Sequence, residues 1–184
     1  MPRRLIRPEP PLTDDAIWLE PLATAHVPDL AWVLDGDPDI TRFTRIPSEP
    51  GLAFLTGWLA RYERAWEDGS AAGFAARDTA SGAAVGFAGL VTLDLDRQEG
   101  EIGYAVAPHA RGRGVARRSL DLLTRWGFET LGLQRIELRI DPANEASLRI
   151  AQRAGYRHEG TLRNLYFKEG LRSDTAVWSR LAGD

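Results

Sequence analysis

A run of strand-forming residues, Glu101-Ile102-Gly103-Tyr104-Ala105-Val106, breaks at Pro108, and a few residues later Arg111-Gly112-Arg113-Gly114-Val115-Ala116 opens a helix. Val115, Leu122, Leu123 and Trp126 then keep the spacing of a buried helical face, Gly132 suits the C-cap, and residues 135–140 alternate as a second strand. Strand, helix and strand in succession put a strand–helix–strand unit in the middle of the chain. Everything before and after has to be arranged around that unit.

Upstream, residues 17–22 read as a strand ended by proline, and Thr24 offers an N-cap for a helix reaching Leu34, with Pro28 tolerated only in the first turn. Residues 35–50 are turn-rich. Leu52, Leu55, Leu59, Tyr62 and Trp66 then recur at the spacings of one helical face. Residues 74–77 and 85–93 read as strands joined by a hairpin turn at Ser81-Gly82. Downstream, a shorter helix over 145–154 closes at Gly155, and strands follow near 156–162 and 174–181, with a turn at Glu169-Gly170. This order predicts an α/β sheet of mixed direction with helices on both faces. The 184 residues suit one core, expected over 15–184, with residues 1–14 as a loose arm.

Several classes of function are excluded by composition. No apolar run approaches the ~20 residues of a spanning helix, and Pro8, Pro10 and Pro11 occupy the place of a signal peptide's apolar stretch. Neither a membrane partner nor export is expected. The chain has no cysteine, so disulfides, thiolate metal sites and a sulfur nucleophile are out, and a reducing cytoplasmic setting fits. His26, His109 and His158 lack ligand spacing, so no metal is expected. A net charge of −3 argues against nucleic-acid partners, yet Arg111, Arg113, Arg117 and Arg118 form a basic cluster suited to a compact polyanion.

The same stretch has the chemistry of a phosphate cradle: glycines admit close backbone approach, and unpaired first-turn N–H groups and the helix dipole face the ligand. No Lys-Ser or Lys-Thr follows Gly114, as a nucleotide-triphosphate loop requires, and Arg117 stands where a dinucleotide fingerprint needs its third glycine. Arg-x-x-Gly-x-Ala at Arg111, Gly114 and Ala116, following Glu101-Ile102-Gly103-Tyr104, resembles the acyl-CoA-binding signature of the GNAT acetyltransferase superfamily. Asn144-x-x-Ser147 and Gly155-Tyr156-x-x-Glu159-Gly160 resemble the second cofactor-side segment of its ribosomal-protein N-terminal acetyltransferase branch. The resemblance spans residues 17–181. It implies a mixed, mostly antiparallel sheet of about seven strands, with a splayed pair holding acyl-CoA as co-substrate. The strand ending at Val106 would offer backbone groups to the pantetheine arm. Arg111 and the amides of Gly112, Arg113, Gly114, Val115 and Ala116 would hold the pyrophosphate, and Asn144 would bond the arm from the other side.

The resemblance also implies catalytic roles. Glu101 would serve as general base, directly or through water, and the backbone N–H near Val106 is a candidate for the oxyanion. Many members carry a tyrosine seven residues after the matching asparagine; this chain has Ala151 there. Ser147 is then the substitute partner for the leaving thiolate, with Tyr104 and Tyr166 as alternatives. Trp32 and Trp58 are candidate walls of an acceptor cleft, and Tyr166 a candidate acceptor contact. Asp174 would orient an acceptor amine or pair with Arg163 or Arg172. The implied activity is N-acyl transfer, acetyl by default and succinyl or another acyl group as the alternative, to a small-molecule amine or a protein N-terminus, by a monomer or homodimer. A non-catalytic acyl-CoA-binding sensor is the competing reading.

Overall fold

The computed structural model describes residues 5–34 and 36–184, so the first four residues of the expected arm and Asp35 in the turn-rich stretch lie outside it. Its strands are β1 (Leu12–Thr13), β2 (Ile17–Pro21), β3 (Ala72–Asp78), β4 (Ala84–Asp94), β5 (Glu99–Val106), β6 (Arg135–Ile140), β7 (Arg157–Lys168) and β8 (Leu171–Leu181). They form one eight-stranded sheet in the order β1-β2-β3-β4-β5-β6-β8-β7. Every neighbouring pair is antiparallel except β5 and β6. The helices are α1 (Val27–Leu34), α2 (Pro38–Phe43), α3 (Leu52–Asp68), α4 (Val115–Glu129) and α5 (Glu145–Arg153), with a 3-10 turn at Thr24–His26 before α1.

The parallel pair is short. Glu99, Gly100 and Glu101 of β5 stand opposite Arg135, Ile136 and Glu137 of β6, and there the pairing ends. Beyond it β5 stays with β4 as far as Val106 opposite Gly86, while β6 stays with β8 as far as Ile140 opposite Ala176. The two strands diverge into a wedge whose inner edges are backbone that no strand pairs. A bulge in β4 sits at the point of divergence: the register slips between Leu90 and Thr92, so Val91 is an extra residue opposite the step from Ile102 to Glu101. Such an insertion bends a strand and deepens its twist. Gly103 accommodates it, because a Cβ there would come within 3.0 Å of the Val91 side chain.

Helices cover both faces. At Gly73 in β3 a Cβ would meet the Tyr62 ring of α3 at 2.7 Å. Phe74, the next residue and so on the opposite face, sets its ring edge-on to Trp126 of α4 at 5.6 Å. Trp66 reaches both Phe74 (5.4 Å) and Trp126 (6.0 Å), and all three rings are buried.

The structure departs from the sequence reading in three places. In the stretch expected to be only turns, Asp37 caps a short helix, its carboxylate accepting the Ile40 N–H at 2.8 Å, with Pro38 as first helical residue. The last hairpin is longer than expected, running to the Glu169-Gly170 turn through register shifts at 158/160 and 162/166. Residues 5–14 are held down rather than loose: buried Leu5 donates its N–H to the Trp66 carbonyl, and Leu12 and Thr13 add a strand to β2.

Trp126→Ala should lower the unfolding free energy by about 3–5 kcal/mol, read from urea denaturation, since it opens a cavity among three large rings. A loss below about 1 kcal/mol would show that the cluster collapses to fill the space.

Candidate active site

The stretch from Val106 to α4 passes through a 3-10 turn, Pro108–Ala110, that buries Ala110. Gly112 (φ +74°) and Gly114 (φ +82°) then take left-handed backbone, which lets the chain reverse tightly into α4. Gly114 is the N-cap residue, and no side chain caps the helix. Backbone bonding begins with the Arg118 N–H to the Gly114 carbonyl at 2.9 Å, so the N–H groups before it face outward from the helix end.

The arginines around this turn are engaged by carboxylates. Arg111 bonds Asp37 at 2.6 Å and reaches Asp39 at 3.5 Å. Arg113 bonds Asp78 at 3.0 Å, Arg117 pairs with Asp121 one turn on at 2.8 Å, and Arg118 bonds Asp14 at 2.9 Å and Asp15 at 2.5 Å. The Asp37 carboxylate is buried, while the bonds of Arg111 to Asp39, Arg117 to Asp121 and Arg118 to Asp15 are exposed pairs that contribute little. The basic cluster is thus a set of arginines held in place by acids. A cavity of about 360 Å³ lies beside Gly114, lined by Arg117, Arg118, Arg125, Asp14 and Asp121.

Across the wedge, Asn144 caps α5, its side-chain oxygen accepting the Ser147 N–H at 3.1 Å. That leaves the Asn144 amide NH₂ without a protein partner among the described residues. The Ser147 hydroxyl oxygen accepts from the Tyr104 O–H at 3.3 Å. Burial raises the pKa of Tyr104 above 10.0, against the opposing bond to Ser147. Ala151, where the resemblance led to the expectation of a tyrosine, is wholly buried and belongs to the core.

Glu101 lies at the last paired position before the wedge and, three residues from Tyr104, on the other face of β5. Burial raises its pKa above the ordinary 4.5; Arg139 and Arg45 oppose the shift and Glu137 reinforces it. The Arg139 Nε is 3.6 Å from the carboxylate, too far for a strong hydrogen bond. Tyr62 feels the Glu101 charge as well, and burial pushes its pKa up to about 12.

Residues distant in sequence close this face. The Tyr166 hydroxyl donates to the Thr44 carbonyl at 2.8 Å, and the Lys168 ammonium donates to the carbonyls of Thr41, Thr44 and Ile46. Glu169 accepts from the Ser48 N–H (3.2 Å) and hydroxyl (3.0 Å). The β7–β8 tip is therefore fastened to residues 41–48, although β7 is the far edge of the sheet.

The other sequence candidates fall in different places. Trp32, 60% exposed, stacks on His109 at 4.4 Å beside the glycine turn, while Trp58 packs on Tyr62 and Phe87. Asp174 pairs with neither Arg163 nor Arg172; it accepts the Asn164 N–H at 2.9 Å. Glu159 of the Gly-Tyr motif is bound by Arg135 and the Ser179 hydroxyl, and the Arg135 bonds hold its pKa near 2, which makes it a strut between β6, β7 and β8. Arg45 and Lys168 were not singled out by the sequence, because a turn-rich stretch and a hairpin tip carry no periodicity that links them. Among the described residues no three His, Asp or Glu side chains gather as a metal site would.

A sheet that splits along a parallel pair, with an uncapped glycine-lined helix start beside the split, is the arrangement of the acyl-CoA-dependent acetyltransferases. The acetyltransferase (GNAT) domain family matches residues 16–157, and the chain belongs to it. YoaA of Bacillus subtilis (strain 168), an uncharacterized N-acetyltransferase, is 29% identical over 145 residues, covering 77% of this chain and 80% of its own. A probable GNAT-family acetyltransferase from Chromobacterium violaceum ATCC 12472 superposes with TM-score 0.84 at 29% identity, over 98% of this chain and 91% of that one. RimL, a ribosomal α-N-protein acetyltransferase solved with coenzyme A, shares the fold with TM-score 0.83 at 18% identity, over 93% and 96% of the two chains.

Because folding raises the pKa of Glu101, stability tied to its protonated form is lost as pH rises through the folded value. Glu101→Gln, neutral throughout, should melt with wild type at about pH 4 and above it at about pH 8 in calorimetry. Coincident melting at both pH values would show that the charge is not penalised there.

Proposed function

We propose that the protein transfers an acetyl group from acetyl-CoA to a primary amine by direct attack in a ternary complex, with Glu101 as general base and the Tyr104–Ser147 pair serving the leaving sulfur. The observation that carries this reading is the placement of Glu101 and Tyr104 on opposite faces of β5, at and just beyond the point where it leaves β6. An acyl group lying in the wedge would then meet a proton acceptor on one side and hydroxyl donors on the other.

The amine nitrogen attacks the thioester carbonyl carbon; the C–N bond forms, the C–S bond breaks, and the nitrogen's proton passes to Glu101. A carboxylate with a raised pKa is better matched to that proton than an ordinary glutamate. The phenol of Tyr104, with a pKa above 10.0, is a weaker acid than a thiol of ordinary pKa about 8.5. Its part is to donate to Ser147, whose own O–H is then free to hydrogen-bond the departing sulfur, and the thiolate takes its proton from solvent. The backbone N–H near Val106, on the strand edge that β6 no longer pairs, is the group available to the carbonyl oxygen. Asn144 NH₂ suits the pantetheine amides. The amides from Gly112 to Ala116, with Arg111, suit the pyrophosphate, which would displace the aspartates now on the arginines. Tyr166 suits the acceptor side, and Trp32, tilted against His109 beside the glycine turn, is its companion candidate for a substrate contact. The acceptor is a small amine or a protein N-terminus, and the cysteine-free composition suits work in the cytoplasm.

Thiol release from acetyl-CoA and succinyl-CoA, measured against amines and N-terminal peptides, tests the reaction. Amine-dependent release should fall about 10²–10⁴-fold in Glu101→Gln, with acetyl-CoA favoured over succinyl-CoA; unchanged release in the variant would remove Glu101 from its role. For the cradle, Gly114→Asp and Gly114→Asn share the left-handed backbone that both residues tolerate, so they differ at that position only in charge. Coenzyme A affinity by calorimetry should be lost in the Asp variant and largely kept in the Asn variant. Equal affinities would place the pyrophosphate elsewhere.

A further inference from the structure

Arg135, Glu137 and Arg139 alternate along β6 and so share one of its faces. The register sets Glu137 directly beside Glu101 on the parallel strand, so this is also the face that carries Glu101. Two carboxylates, with only 19% and 23% of their side chains exposed, therefore stand side by side, and Arg139 is the cation that reaches both. Charges so placed are screened far less than charges in open solvent.

Arg139 divides itself unequally. Its Nε and Nη2 groups both donate to Glu137 Oε2, at 3.4 Å each, whereas Glu101 has only the Nε at 3.6 Å. Among the described residues these are the carboxylates within 4 Å of Arg139. The other oxygen of Glu137 is pinned, because Arg135 donates to Oε1 through Nε at 3.1 Å and Nη2 at 2.7 Å. Arg135 is in turn clamped by Glu159 at 2.8 and 2.5 Å, and Glu159 accepts the Ser179 hydroxyl at 2.6 Å. Glu137 thus holds Arg139 from a frame braced across β6, β7 and β8.

The groups that bear on Glu101 are Arg139 and Glu137 of β6, Arg45 from the segment between α2 and α3, and Tyr62 of α3, which feels its charge. Burial and Glu137 raise the Glu101 pKa, while Arg139 and Arg45 oppose them. A guanidinium in close contact moves a carboxylate pKa down by about 1–3 and occupies the oxygens that would accept a proton. Arg139 is less than ~1 Å from such contact, given an ordinary N···O distance of about 2.8 Å.

We propose that Glu137 is a positioning residue for the base: from its braced place it keeps Arg139 shared, and so prevents a close Arg139–Glu101 ion pair that would tie up the carboxylate the amine needs. The functional half of this rests on the reading of Glu101 as general base. When Glu101 takes the amine's proton and loses its charge, Arg139 still has Glu137, so no cation is left without a partner.

The test uses the full chain as wild type, Glu137→Gln, Arg139→Gln and the double variant. A carbon-13 carboxyl NMR titration, with the Glu101 signal assigned by its absence in Glu101→Gln, reads the base without turnover. In Glu137→Gln the Glu101 pKa should fall by about one or more, because a neutral amide holds a guanidinium more weakly and Arg139 closes on Glu101. In Arg139→Gln it should rise. Against the Arg139→Gln background, losing Glu137 should have less than about half its effect, since no guanidinium remains to close in. An equal fall with and without Arg139 would mean that Glu137 acts only through its charge, and no fall in Glu137→Gln would mean that it does not restrain Arg139; either result overturns the inference. The second readout is the pH profile of amine-dependent thiol release from acetyl-CoA with one acceptor, whose own ionisation is common to all variants. The acid limb of kcat/KM should move with the NMR value in each variant. A limb that stays in place while the NMR values move as expected would uphold the restraint on Arg139 and overturn the reading of Glu101 as base.

Discussion

Three residue pairs between β5 and β6 decide the shape of everything near the site. With fewer, the sheet would fall into two halves; with more, the edges of residues 102–106 and 138–140 would satisfy one another and leave no room between them. The β4 bulge and the small side of Gly103 set where the pairing stops. Buried backbone polar groups need partners, so strands that part inside a domain leave a demand that water or an extended ligand has to meet. A pantetheine arm, itself a chain of amides, is suited to that demand.

Around the split, each face of β5 has its own chemistry. Tyr104 meets the start of α5, where Asn144 and Ser147 supply an amide and a hydroxyl. Glu101, on the other face, has Arg139 3.6 Å away and its charge is felt at Tyr62. Burial raises the pKa of both Glu101 and Tyr104, with different results: in the proposed reaction the carboxylate would become a better base, while the phenol keeps its proton as a hydrogen-bond donor. A two-residue period along one strand is enough to separate these tasks.

What could be read from the sequence was what local rules encode. The glycine turn into α4 lies within one short window, whereas the grouping of Glu101, Asn144 and Ser147 around a split sheet was implied by the resemblance to the GNAT superfamily rather than by the element order. Helix α2 was missed although Asp37-Pro38 is an N-cap followed by a favoured first residue, because six helical residues leave too little periodicity to register. The arginine cluster looked free in sequence because Asp14, Asp37 and Asp78, which bind it, come from three other parts of the chain. The Tyr166 and Lys168 bonds to residues 41–46 cross more than 120 positions and rest on main-chain carbonyls, so no residue pattern announces them.

That last feature bears on how such a protein can change. Lys168 and Tyr166 grip carbonyl oxygens that are present whichever amino acid occupies positions 41, 44 and 46. The route of this segment is therefore largely independent of its spelling. Mutation is free to vary its outward side chains without changing how the segment is held. A lineage built this way can respell one wall beside the split sheet while the path of that wall through the fold stays the same.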